Sequence, residues 1–164
     1  MATNILSATG AGVCTPYAKG IIGRSMYEKG KAFLGAAILL RQRRASEYAV
    51  LHLLCQGIEV LGKGYLLMVD YDVFKPKLRV YGHNLLKLVA AIEAHSGLTI
   101  LTAPVHAELE TLSNLYRRQL LRYGSSYDIL VDAKSIPSGL VLRRSFALLR
   151  LARLKRFANE PPAI

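Results

Sequence analysis

Arg122, Tyr123 and Tyr127 form the group of residues in this sequence that is best suited to contact a nucleic acid. A guanidinium group can hold a phosphate through two hydrogen bonds, and a tyrosine ring can stack on a base. A helix that ends near Arg122, with tyrosines that serve packing alone, would produce the same residues. The residue types leave both interpretations open.

A second polar group follows one face of a predicted helix over residues 46–69. His52, Gln56, Glu59 and Lys63 recur at three- and four-residue steps, so they share one side of that helix. Glu59 precedes Lys63 by four residues, which favours a helical ion pair. The pair could face a cleft, but the preferred interpretation is a solvated or interhelix ion pair. His52 would then lie on the surface or in an interface.

His83 stands at the start of another predicted helix and could be a catalytic or ligand-binding residue, because histidine exchanges a proton near neutral pH. The preferred interpretation is that it caps or orients that helix. No histidines and carboxylates have metal-ligand spacing. The sequence also contains no glycine-rich phosphate loop and no nucleophile motif. We therefore expect neither a metal nor a cofactor.

The charge of the chain points to a polyanionic partner. Lys and Arg number 22 against 11 Asp and Glu, which gives a formal net charge of +11. Such a field attracts nucleic acid, and RNA is the partner considered first. The residues proposed to contact it are Arg117, Arg118, Arg122, Tyr123, Arg143, Arg144 and Arg150. Solubility alone would be the simpler explanation of the charge.

The last predicted helix holds many of these bases without gathering them on one side. Six basic residues between 143 and 156 are interleaved with leucines and phenylalanines. A membrane-surface helix would separate the two sets. We expect the apolar residues to be buried in a bundle or dimer, while the long Arg and Lys stems reach water.

Apolar stripes at helical spacing predict an all-α, antiparallel bundle of about five helices in one domain over residues 17–158. Residues 1–16 are interpreted as a flexible N-terminal arm and residues 159–164 as a C-terminal tail. The first predicted helix begins near Tyr17 or Arg24 and runs to about Arg41, and the other predicted helices cover about 46–69, 84–96, 104–124 and 137–157. Residues 125–138 are interpreted as a loop with a short extended piece at 129–131.

The expected location is the reducing cytoplasm. Two cysteines do not make a disulfide framework, and Cys55 fits a buried small hydrophobe. Residues 1–16 lack the basic start and apolar stretch of a secretory signal. The apolar segment 50–69 is interrupted by polar residues, so we predict no membrane span.

Two stretches of the predicted helices resemble the HEPN family of helical bundles. CQGIEVLGKGYL (residues 55–66) resembles the family's sequence of a glutamine, an apolar residue, a glutamate, small or apolar residues and a lysine. GHNLLKL (residues 82–88) resembles its His-Asp/Asn-Leu-x-x-Leu helix start. The resemblance covers residues 46–93, and it implies a bundle of four or five helices that often forms a homodimer.

The resemblance also implies an RNA-directed role. Many HEPN proteins are bacterial ribonucleases of toxin–antitoxin or phage-defence systems, some beside a nucleotidyltransferase, whereas others only bind RNA or a partner. Catalytic members have an arginine, four to six further residues and then a histidine. Here Arg122 is followed, after four residues, by Tyr127 in place of the histidine. Tyrosine, with an ordinary pKa near 10, is a poor base at pH 7.

We therefore predict a dimeric, catalytically degenerate HEPN-like protein that binds RNA or a nucleic-acid-processing partner. Two alternatives stay open. One is an active metal-independent endoribonuclease with a noncanonical site, whose candidate residues are Arg122, Tyr127 and His83. The other is a structural or adaptor protein that dimerises through its helices or docks a partner with its last helix. The sequence does not decide whether the chain is an enzyme.

Overall fold

A computed structural model describes residues 14–122 and 130–158, and these residues form an all-α bundle without strands. Five long helices and two single-turn helices lie within these ranges. Their bounds are α1 Pro16–Gln42, α2 Glu47–Val69, α3 Tyr71–Phe74, α4 Leu78–Tyr81, α5 Leu85–Ser96, α6 Ala103–Arg117 and α7 Gly139–Ala158. A 3₁₀ turn, Ala133–Ser135, precedes α7. The predicted fold class is confirmed.

Helix α2 is the centre of the bundle because it is apolar on almost every side. Fourteen of its 23 residues are buried, and α1, α5, α6 and α7 all pack against it. Within the described part of the chain α2 alone is long and apolar enough to cross a membrane. A central core helix has the same composition, so this feature decides nothing about a membrane.

Glycines bring α1 and α2 into close contact. A Cβ atom added at Gly30 of α1 would lie 2.7 Å from the backbone nitrogen of Leu61, and one added at Gly64 of α2 would lie 2.9 Å from Cβ of Met26. Only a residue without a side chain allows this approach. The close contact fixes the position of α2, which carries the polar stripe formed by His52, Gln56, Glu59 and Lys63.

The end of α6 differs from the prediction. The apolar stripe predicted a helix that continues to Gly124, but α6 ends at Arg117. Gln119 adopts φ 61°, and the amide of Leu120 bonds back to the carbonyl of Leu115, which is a Schellman-type C-cap. The turn buries Leu121 in the core. Burial of that one leucine overrode the helical periodicity.

The connection from α2 to α5 also differs from the prediction. The sequence indicated a break after Val69, yet two helical turns, α3 and α4, form there. Asp70 caps α3 through its carboxylate, which accepts the amide of Val73 at 3.1 Å. Gly82, at φ 50°, then reverses the chain. These turns place residues 82–84 beside α2.

Helix α7 is anchored to α6 by a carboxylate. One oxygen of Glu108 accepts the backbone amides of Leu140 and Val141, at 2.8 and 3.1 Å. This bond satisfies amide donors that the first turn of a helix leaves unpaired. The N-terminal arm up to residue 13, the C-terminal tail and residue 129 of the predicted extended piece lie outside the described residues. Leu130, within that piece, is helical, so the predicted extended conformation is wrong there. Val131 itself is in a bend.

Candidate functional site

The carboxylate of Glu59, on the inward side of α2, is the centre of a polar cluster. Lys63 donates to Oε1 at 2.6 Å and His83 contacts Oε2 at 2.9 Å through Nδ1. The hydroxyl of Tyr116 also hydrogen-bonds Glu59. The glutamate is 7% exposed, so these three donors replace the water that it loses.

Each donor comes from a different part of the fold. Lys63 lies one turn after Glu59 on α2, and its ammonium also donates to the carbonyl of Gly82 at 2.7 Å. That bond holds the α4–α5 turn, and with it His83, against α2. Tyr116 comes from the last turn of α6. The bundle thus joins three segments at one carboxylate.

Burial acts to raise the pKa of the Glu59 carboxyl, but the hydrogen bonds from Lys63, His83 and Tyr116 outweigh it, so the pKa is lowered. Glu59 is therefore ionised at neutral pH. The pKa of Tyr116 changes in the opposite direction. Burial is the main cause that raises the pKa of the phenol, and the hydrogen bond to Glu59 is the second. Tyr116 accordingly stays protonated, and its hydroxyl donates a hydrogen bond to the carboxylate.

The ionised carboxylate fixes the proton positions of His83. A carboxylate can only accept hydrogen bonds, so Nδ1 of His83 must carry the hydrogen. In the neutral ring Nε2 is then an acceptor, available for a proton. The side chain is 56% exposed. Asn84, and not His83, caps α5, since its side chain accepts the amide of Lys87 at 3.0 Å. The capping role considered for His83 is therefore wrong.

Tyr116 lies between two histidine rings. Its ring centroid is 5.5 Å from that of His83, in an edge-to-face arrangement, and 5.7 Å from that of His52. His52 is half-buried, and its Nδ1 has no hydrogen-bond partner among the residues that the structure describes. Burial, and secondly the positive charge of Arg122, lower the pKa of His52. His52 is thus neutral at pH 7.

These side chains line a cleft of about 170 Å³ in front of Glu59, which we call the α2–α6 cleft. Its walls are His52, Gln56, Glu59, Val60, His83, Tyr116, Gln119 and Arg122. The ion pair of Glu59 with Lys63 compensates the buried negative charge. Arg122 then contributes a further positive charge to the cleft.

The residues predicted from the sequence divide between this cleft and other surfaces. His83 and Arg122 lie in the cleft, together with Glu59 of the polar stripe. Arg143, Arg144 and Arg150 line a separate groove beside α7. Arg117 and Arg118 are exposed near the end of α6 and line neither. Tyr123 and Tyr127 are outside the described ranges.

Tyr116 and His52 are two cleft residues to which no functional role was assigned from the sequence. Tyr116 belonged to an apolar stripe, and only the fold shows that its hydroxyl binds Glu59. His52 was assigned to the surface or an interface, but it is half-buried beside Tyr116. The sequence signal for His52 was its place on the polar stripe of an otherwise apolar helix. The Glu59–Lys63 pair is intrahelical and mostly buried, so the solvated alternative is wrong.

No protein-family model, no curated protein and no solved structure matches this chain. The resemblance to HEPN proteins therefore stays a prediction, carried by the residues of the chain itself. Within residues 14–122 and 130–158, no group of three or more His, Cys, Asp or Glu side chains is placed to hold a metal ion.

Proposed function

We propose that the protein is a catalytically degenerate, HEPN-like RNA-binding domain that holds RNA at the α2–α6 cleft. The observation that carries the proposal is that Glu59, which pairs with Lys63, and His83 line one cleft together with Arg122. The first three belong to the two stretches that resemble the family, and Arg122 is the arginine of its motif. Residues far apart in the sequence thus occupy one site.

The chemistry of the cleft suits a phosphodiester. Arg122 supplies a guanidinium for a phosphate oxygen, and His83 and Gln119 can hydrogen-bond a ribose or base edge. The net charge of +11 would add a long-range, salt-dependent attraction. The same resemblance supports a homodimer in the cytoplasm, acting in a bacterial toxin–antitoxin or phage-defence system beside a partner such as a nucleotidyltransferase.

The test is the affinity of a fluorescent 20-nucleotide single-stranded RNA at several salt concentrations. We expect Arg122→Ala to weaken binding by roughly tenfold and to make the salt slope shallower, since one phosphate contact is lost. The matched control is Arg79→Ala, which removes an exposed arginine outside the cleft. Equal losses for both variants would show that charge alone binds RNA and would contradict a site at the cleft.

A second candidate function, metal-independent RNA cleavage, is favoured by the two histidines of the cleft. Nε2 of a neutral His83 could take the proton of a ribose 2′-hydroxyl, whose oxygen would then attack the adjacent phosphorus. The bond from phosphorus to O5′ would break, and the leaving O5′ would take its proton from water. Arg122 would stabilise the charge on the phosphoryl oxygens.

This candidate predicts cleavage that persists in EDTA and leaves 2′,3′-cyclic phosphate and 5′-hydroxyl ends. His83→Ala and Arg122→Ala should each abolish it, whereas Arg79→Ala should not. Intact RNA after long incubation with the wild-type protein, at concentrations that saturate binding, would exclude cleavage and leave the binding proposal in place.

A further inference from the structure

A groove of about 720 Å³ runs along α7, between that helix and the start of α6 with the loop before it. Its floor is apolar and open to solvent, and it shares no lining residue with the α2–α6 cleft. Leu98 is 50% exposed, Phe146 48% and Leu154 70%. Large apolar side chains at such exposure, grouped in one concave surface, are typical of an interaction site.

Three arginines, Arg143, Arg144 and Arg150, line the same groove. All three are exposed, and within the described part of the chain none of them forms an ion pair. None of the described lining residues is acidic. The nearby carboxylate of Glu108 is already engaged with the first amides of α7. The groove therefore combines an apolar floor with a concentrated positive charge.

These properties separate the possible occupants. A second copy of the chain, packed through this face about a twofold axis, would bring arginines against arginines. An RNA backbone would satisfy the arginines but leave Phe146 and Leu154 in water. A flat bilayer surface does not fill a concave groove between two helices. An amphipathic helix with acidic flanks satisfies the apolar floor and the charge together.

We infer that the groove along α7 binds an acidic amphipathic helix of a partner protein. The lining residues of α7 extend from Leu140 to Leu154, which corresponds to about 21 Å of helix. A partner helix of about four turns would cover that length. Its apolar residues, at i, i+3, i+4 and i+7, would contact Phe146, Leu151 and Leu154, and its carboxylates would pair with the three arginines.

The experiment uses the full chain and a fluorescent 15-residue peptide with leucines on one helical face and glutamate and alanine elsewhere. Binding is followed by fluorescence anisotropy. A peptide of the same composition in scrambled order controls for charge alone, because it lacks the apolar stripe. We expect the patterned peptide to bind at least about tenfold more tightly than the scrambled one.

Two variants test the two parts of the groove. Arg150→Glu should weaken binding of the glutamate peptide by roughly tenfold. It should strengthen binding of a peptide in which lysine replaces glutamate. The double variant Phe146→Ala/Leu154→Ala should lower the affinity for the patterned peptide and leave the affinity for RNA unchanged. Phe146 is about half exposed and Leu154 is largely exposed, so we expect the helical circular dichroism and the melting temperature to be retained. Arg79→Glu is the matched charge control.

Several results would overturn the inference. Equal affinities for the patterned and scrambled peptides would show that charge alone accounts for the binding. A loss of RNA affinity in the double variant, with peptide affinity retained, would assign the groove to RNA. A wild-type dimer that the double variant converts to monomer would assign it to a second copy. Capture of the chain by anionic phosphatidylglycerol vesicles, lost in the double variant, would assign it to a lipid surface.

Discussion

Nδ1 of His83 lies 2.9 Å from Oε2 of Glu59, although the two residues are 24 positions apart in the chain. The contact joins the two stretches of sequence that carry the family resemblance. It depends on Gly82, whose carbonyl is bound by Lys63, and on Tyr116, which reaches the same carboxylate from α6. The stability and the pH dependence of the protein should therefore both respond to changes at Glu59.

Replacing Glu59 by alanine should destabilise the protein. The change leaves Lys63, whose side chain is 15% exposed, without its counter-charge, and an unpaired, largely buried charge costs roughly 3 kcal/mol. Chemical denaturation with urea measures the free energy of unfolding. The double variant Glu59→Gln/Lys63→Met should be destabilised by less than the sum of the two single changes, because the residues act as one unit. Additive losses would contradict a coupled pair.

The same carboxylate should make stability depend on acid. The pKa of Glu59 is lower in the folded protein than its ordinary value of 4.5. Its contribution to stability is therefore fully present above pH 4.5 and is lost as the pH falls through the folded pKa. Unfolding free energies measured between pH 7 and pH 3 should fall more steeply in wild type than in Glu59→Gln. Parallel curves would show that Glu59 titrates normally.

The pKa of His52 should depend on the charge of Arg122. Burial is the main cause of the lowered pKa of His52, and the positive charge of Arg122 is the second. Arg122→Ala should therefore raise the pKa of His52, although burial should keep it below the ordinary 6.5. NMR titration of the histidine ring protons measures it, with Arg79→Ala as a control that leaves it unchanged. No change in Arg122→Ala would place the guanidinium away from the cleft.

Replacing two different glycines of α1 by alanine should change the stability of the protein in opposite directions. At Gly30 the added Cβ would lie 2.7 Å from the backbone nitrogen of Leu61, so α1 and α2 must separate, at a cost of roughly 1–3 kcal/mol. At Gly35 nothing lies within 4 Å of the added atom, so Gly35→Ala should stabilise α1 by up to about 1 kcal/mol. Thermal and urea unfolding measure the stabilities of the two variants against that of the wild type. A stabilised Gly30→Ala would contradict the close packing of α1 and α2.

Local rules account for the helices that the sequence predicted correctly. Four long helices begin and end close to the expected residues, and Gly97 takes the left-handed conformation of a C-cap. Helix α6 is the exception, because the contact that ends it is tertiary: the turn at Gln119 places Leu121 in the core. Periodicity along one helix contains no information about such a contact.

The sequence by itself determined the all-α class, the polar stripe of α2 and the excess of positive charge, since each depends on residue type and spacing along a single segment. The tertiary structure alone decided that Glu59, His83 and Tyr116 share one cluster, that His52 is half-buried beside it, and that three arginines of α7 line an apolar groove. These features depend on the close approach of α1 and α2 and on the turns that connect the helices. Packing between segments sets those distances, and no local pattern specifies them.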